Sequence, residues 1–166
     1  MHTMEQKIFI IGFMGVGKTT LARQAATLFN VPFFDTDQMI EEITGLRVTQ
    51  IFDQWGEKYF RRMERDVIHQ LMAMRGNCIA ALGGGSVCQP DILDWLNRIG
   101  LTIWLNTDWS IIEQRLSLDT TRPLVSKLSK IELDELWKAR SVFYQKAQWN
   151  CRDAQEVIFK LEEYLG

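Results

Sequence analysis

The stretch Gly12 to Thr19, "GFMGVGKT", fits the pattern G-x-x-x-x-G-K-S/T and sits between two segments of opposite character. Before it, "KIFIIGF" is short, rich in isoleucine and closed by glycine, which suits a buried central strand. After it, Leu21, Ala22, Ala25, Leu28 and Phe29 recur at helical spacing. A strand that turns through glycines into a helix makes a phosphate cradle. The small residues let successive backbone N–H groups turn inward, and the helix adds its positive end. The expected nucleotide-contacting run is Gly15, Val16, Gly17, Lys18, Thr19 and Thr20. Lys18 supplies a point charge to the β- and γ-phosphates of a nucleoside triphosphate, and Thr19 a hydroxyl for Mg²⁺. A tight strand-to-helix turn with an exposed lysine is the plainer alternative.

The rest of the chain repeats this alternation. "VPFFD", "CIAALGGG" and "LTIWLN" read as further strands. Between and after them "QMIEEI", "VTQIFDQWGEKYFRRMERDVIHQLMAM", "DILDWLNRI", "DWSIIEQRLSL", "KIELDELWKARSVFYQKA" and "AQEVIFKLEEYL" read as helices, with breaks near Gly45 and Gly56. The expected fold is α/β: three layers, a mostly parallel central sheet and helices on both faces. Ligands in such sheets bind beyond the carboxyl ends of the strands, where the informative residues fall. With 166 residues, no internal repeat and no linker-like tract, a single domain over 1–166 is expected, with its phosphate loop at 12–19.

Composition removes several functions. Net charge is −2 with no dense Lys/Arg run, so the field that draws in nucleic acid or an anionic membrane surface is missing. Cys78, Cys88 and Cys151 are odd in number and lack metal-ligand spacing, as reduced thiols of a cytosolic protein would be. The six tryptophans have no basic patch around them and read as packing residues. A switch GTPase is the rival from another class, but the D-x-x-G at Asp53 to Gly56 falls in a helical stretch, and no N-K-x-D for guanine is present. A kinase of a small molecule fits this length.

Three further features lie outside the phosphate loop. Gly83, Gly84 and Gly85 follow a strand, so backbone can approach a small substrate there. Arg61, flanked by Glu57 and Glu64, and Arg140 read on their own as charge on solvated helix faces. Arg122 precedes Pro123 in a polar break between helices, the kind of segment that closes over a nucleotide.

Taken in order, "GFMGVGKTT", "FFDTDQMIEE", "GEKYFRRME", "ALGGGS", "TRPL" and "LWKARSVFY" closely resemble the shikimate kinase family. The resemblance implies a five-stranded parallel sheet of the P-loop, nucleoside monophosphate kinase type, although the residues after Tyr144 are few for a full last strand. It implies transfer of the γ-phosphoryl group of ATP to the 3-hydroxyl of shikimate, with Mg²⁺, late on the path to chorismate and the aromatic amino acids. By the same resemblance Asp37 would act as base or orienting group for the attacking hydroxyl, and Asp35 would help hold Mg²⁺. Arg61 and Arg140 would clamp the substrate carboxylate, with backbone at Gly83, Gly84 and Gly85 beside the substrate. Arg122 would reach the transferring phosphates from a lid at about 116–128, and Arg115 and Arg152 would lie on the adenine side. The substrate region would run over about 35–64. A cytoplasmic monomer is expected.

Asp35 and Asp37 pose a question of geometry. In an extended segment, side chains two apart share a face, so both would project from one side of a strand end. Helix capping is the alternative, because Asp35 with Gln38 has the spacing of a capping box.

Overall fold

The computed structural model describes residues 5–119 and 127–165. Five strands form one parallel sheet: β1 (Lys7–Ile11), β2 (Phe33–Asp35), β3 (Cys78–Ala81), β4 (Leu101–Leu105) and β5 (Trp149–Cys151), in the order β2-β3-β1-β4-β5. Every residue of β1, β3 and β4 is buried, which explains why these strands read as unbroken apolar runs. The last strand is present but short. β5 takes only three residues, in register with Ile103 to Leu105 of β4.

Among the described residues the helices are α1 (Lys18–Leu28), α2 (Thr36–Thr44), α3 (Val48–Ala73), α4 (Ile92–Ile99), α5 (Trp109–Leu118), α6 (Lys130–Tyr144) and α7 (Ala154–Leu165). A single 3₁₀ turn, Ser86–Cys88, comes after the glycines that end β3. The chain moves to one side from β1 to β2 and to the other side at each later crossover. Right-handed connections therefore place α1 on one face and α3 and α4 on the other.

A large core wraps the sheet, and Ile40, Ile51, Phe60 and Val67 form a smaller one that fastens α2 to α3. α3 bends at Gly56, whose φ of 78° no helical residue adopts, so the break expected there is a kink inside one long element. The D-x-x-G at Asp53 to Gly56 occupies this kink and is not at a strand end.

Register sets up the site. Asp35 pairs with Ala81 and Ile10 with Ala81, so β1, β2 and β3 end level with one another. The phosphate loop after β1, "TDQM" after β2 and "LGGG" after β3 therefore emerge along one edge of the sheet.

Candidate active site

The phosphate loop meets α1 at Gly17, which is left-handed with φ 95°, and helix begins at once with Lys18. A side chain at Gly17 would be strained, and the tight entry aims the first free N–H groups of α1 into the loop. Lys18 Nζ donates to the Phe13 carbonyl at 2.8 Å. Arg115, from α5, donates to the carbonyls of Gly15 (3.2 Å) and Val16 (3.1 Å), so it braces the loop through its backbone. A cleft of about 180 Å³ opens here, lined by Gly15, Gly17, Lys18, Thr19, Thr20, Asp35 and Asp37 among others.

The two aspartates depart from the extended geometry. β2 ends at Asp35, and Asp37 lies in the first turn of α2. Asp35 Oδ1 accepts the N–H groups of Asp37 (3.0 Å) and Gln38 (3.1 Å), which draws the chain into helix immediately after the strand. Gln38 does not complete a capping box, because its side-chain amide donates to Glu42 at 3.0 Å. The other oxygen of Asp35, Oδ2, accepts from Thr19 Oγ1 at 2.6 Å. Asp35 thus caps α2 and faces the phosphate loop at once. Asp37 reaches the same cleft from the helix instead of from a strand face.

A second cleft of about 330 Å³ adjoins the first, and the two share Met14, Asp37, Gly83 and Gly84. Arg61, Arg140, Gly85 and Lys127 line its polar side, and Val48, Phe52 and Phe60 its apolar wall. The glycine tripeptide lies where these side chains converge. A Cβ on Gly83 would stand 2.6 Å from Glu64 Oε1 and 2.8 Å from Asp37 Oδ1, and one on Gly85 would stand 2.6 Å from Arg61 Nη1. A Cβ on Gly84 would lie 3.3 Å from the Met14 backbone nitrogen. The close approach expected at "GGG" is therefore an approach of these protein side chains and backbone to the glycines themselves.

Three residues to which the motifs assign no role in the site hold this cleft together. Thr36, fully buried between the two aspartates, accepts the Gly83 N–H at 3.0 Å and ties the start of α2 to the glycines. Glu64, also fully buried, accepts from Ser86 Oγ (2.5 Å), Arg61 Nη1 (2.7 Å) and Gln89 Nε2 (2.9 Å). The spacing suggested a solvated ion pair, but only Glu57 is exposed. Burial works against the Arg61 charge, yet Glu64 and Glu57 outweigh it and hold the guanidinium above its ordinary pKa. Tyr144 completes the set by donating its hydroxyl to the Gly84 carbonyl.

Not every expected residue joins the clefts. Arg152 is exposed after β5, with its backbone N–H on the Glu156 carboxylate at 2.9 Å. Arg122 and residues 120–126 of the expected lid lie outside the described residues. Of that segment, residues 116–119 and 127–128 are described, with Lys127 3.7 Å from Asp53. Among the described residues no group of three or more His, Cys, Asp or Glu side chains is placed to hold a metal. No helix among them is long and apolar enough to cross a membrane.

The chain also has relatives among known proteins. The family model described as shikimate kinase matches residues 14–160. The chain belongs to the shikimate kinase family. A shikimate kinase of Bartonella henselae is 35% identical over 95% of this chain and 79% of its own length. The shikimate kinase of Acinetobacter baumannii, solved in complex with shikimate, superposes with a TM-score of 0.87 at 30% identity, covering 97% of this chain and 93% of that one. That of Bacteroides thetaiotaomicron gives a TM-score of 0.85 at 31% identity, covering 96% of this chain and 98% of the other. The five-stranded parallel sheet agrees with that membership.

Proposed function

We propose that this chain transfers the γ-phosphoryl group of ATP to the 3-hydroxyl of shikimate, giving shikimate 3-phosphate and ADP. One observation carries the reading. The phosphate cleft and the arginine-lined cleft meet at Asp37, Gly83 and Gly84, so a carboxylate stands where an acceptor hydroxyl and a terminal phosphate would come together.

Phosphoryl transfer asks the protein mainly for alignment and charge compensation. Backbone from Gly15 to Thr20 wraps the phosphates, and Lys18 leaves the Phe13 carbonyl to meet them. Arg61 and Arg140 take the acceptor carboxylate with their planar forks, which fixes the ring relative to Asp37. Asp37 accepts the hydrogen bond of the attacking hydroxyl and aims its lone pair along the line of displacement. Arg122 reaches the transferring phosphates, and Arg115 and Arg152 belong to the adenine side. Val48, Phe52 and Phe60 exclude water from the acceptor's apolar face.

The Thr19 and Asp35 oxygens, 2.6 Å apart, fit Mg²⁺, a hard cation that keeps most of its waters and takes few protein ligands. When bound there the ion would neutralise charge on the β- and γ-phosphate oxygens.

A coupled ADP-release assay across shikimate, gluconate and nucleoside monophosphates tests the reading. Turnover is expected with shikimate alone. Turnover with gluconate but not shikimate would sink it, and GTP binding without acceptor-dependent turnover would favour a switch.

A further inference from the structure

Tyr144 sits one helical turn beyond Arg140 on α6, and among the described residues it is the largest side chain completely enclosed by the fold. Its ring packs against Trp104, with centroids 5.9 Å apart. Its hydroxyl donates to the Gly84 carbonyl, and Arg140, one helical turn earlier, brings Nη1 to the same glycine, 3.5 Å from the position a Cβ there would take. The other side of that guanidinium lies over the Phe13 ring, 5.7 Å from its centroid. A phenol has one proton to give, whereas arginine can only donate. With the proton committed to Gly84, the phenol lone pairs are left to face Arg140.

The two arginines of the cleft are therefore held by different means. Arg61 has carboxylate partners in Glu57 and Glu64. Among the described residues no carboxylate lies within ion-pair distance of Arg140, whose neighbours here are a phenol and a phenyl ring. A protein carboxylate would compete with an incoming one for the same fork; a neutral hydroxyl fixes the fork and leaves its charge uncompensated.

We propose that Tyr144 is a positioning residue for the acceptor carboxylate: anchored on the Gly84 carbonyl, its hydroxyl orients the Arg140 guanidinium into the cleft without neutralising it. The inference rests on Arg140 meeting the acceptor's carboxylate. Burial raises the phenol's pKa, so the hydroxyl keeps its proton throughout the range in which a kinase would be assayed.

Tyr144→Phe keeps the ring and removes only the hydroxyl. The KM for shikimate is expected to rise roughly tenfold, the scale of one hydrogen bond to a charged group, with the KM for ATP and kcat within about twofold of wild type. Competition by shikimate methyl ester, which lacks the carboxylate charge, should weaken far less in the variant than shikimate binding does. Val157→Ala, in the core under α7, serves as a destabilised control and should leave both KM values unchanged. An unmoved shikimate KM, an equal rise for ATP, an equal loss for the ester, or the same pattern in Val157→Ala would each overturn the inference. Failure of the wild-type protein to use shikimate would overturn the functional reading, and this inference with it. Wild-type turnover with an unmoved Tyr144→Phe KM would overturn the inference alone.

Discussion

Thr19 Oγ1 donates to Asp35 Oδ2 across 2.6 Å, so the hydroxyl in the first turn of α1 and the carboxylate that caps α2 form one oxygen pair. Asp35→Asn separates its two duties, because asparagine caps a helix about as well as aspartate but carries no charge. The Mg²⁺ concentration for half-maximal rate should rise about tenfold or more, the scale of a lost charge-assisted contact, with the melting temperature nearly unchanged. A normal Mg²⁺ titration would remove Asp35 from the metal site.

Asp37→Asn should retain ATP binding, measured by calorimetry, and lose turnover by roughly 10²–10⁴-fold, the range for a positioned proton acceptor. Activity near wild type would mean that the hydroxyl is oriented by something else.

Arg140→Ala should weaken shikimate by roughly 1.5–3 kcal/mol, read as a rise in KM. The expected outcome for Glu64→Ala is different. It leaves Arg61 with the exposed Glu57 in place of a buried partner and takes the acceptor from Ser86 and Gln89, so folding stability should fall by roughly 3 kcal/mol in urea unfolding, the low end of the cost of breaking a buried pair. A loss of less than about 1 kcal/mol would show that these donors find other partners.

Gly85→Ala tests close approach. The atoms in its way belong to the tip of Arg61, which can move, so the fold should survive while the guanidinium is displaced from the cleft. Shikimate KM should rise with little change in melting temperature; an unaffected KM would detach Arg61 from the acceptor.

Cys88 lies among Arg140, Arg61 and Glu64, but burial dominates and pushes its thiol up despite the two cations. Its labelling by iodoacetamide at pH 7, followed by mass spectrometry, should be slower than that of a free thiol and should accelerate as pH rises. Rapid labelling at pH 7 would contradict the burial.

Legibility in the sequence tracked how local the cause was. The phosphate loop, its flanking strand and its helix depend on contiguous residues and were fully readable. The shared edge of Asp35 and Asp37 was readable, but its geometry was not, because the Asp35 cap starts the helix one residue after the strand ends. Thr36, Glu64 and Tyr144 were opaque for a different reason. Their partners Gly83, Ser86 and Gly84 lie 47, 22 and 60 positions away in the chain, and no periodicity carries such pairings. Glu64 was also disguised, since its spacing from Arg61 is that of any exposed ion pair. β5 is set by pairing with β4 and is too short to declare itself.

Every single-base missense change in a glycine codon installs a side chain, and in "GGG" each would intrude on a different neighbour: Asp37 and Glu64, the phosphate-loop backbone, or Arg61. Point mutation thus finds no gradual route through this loop to a new acceptor. Val48, Thr49 and Phe52 along the start of α3 carry ordinary side chains on the same cleft, and divergence toward other small acids, or resistance to a competitive inhibitor, should begin there.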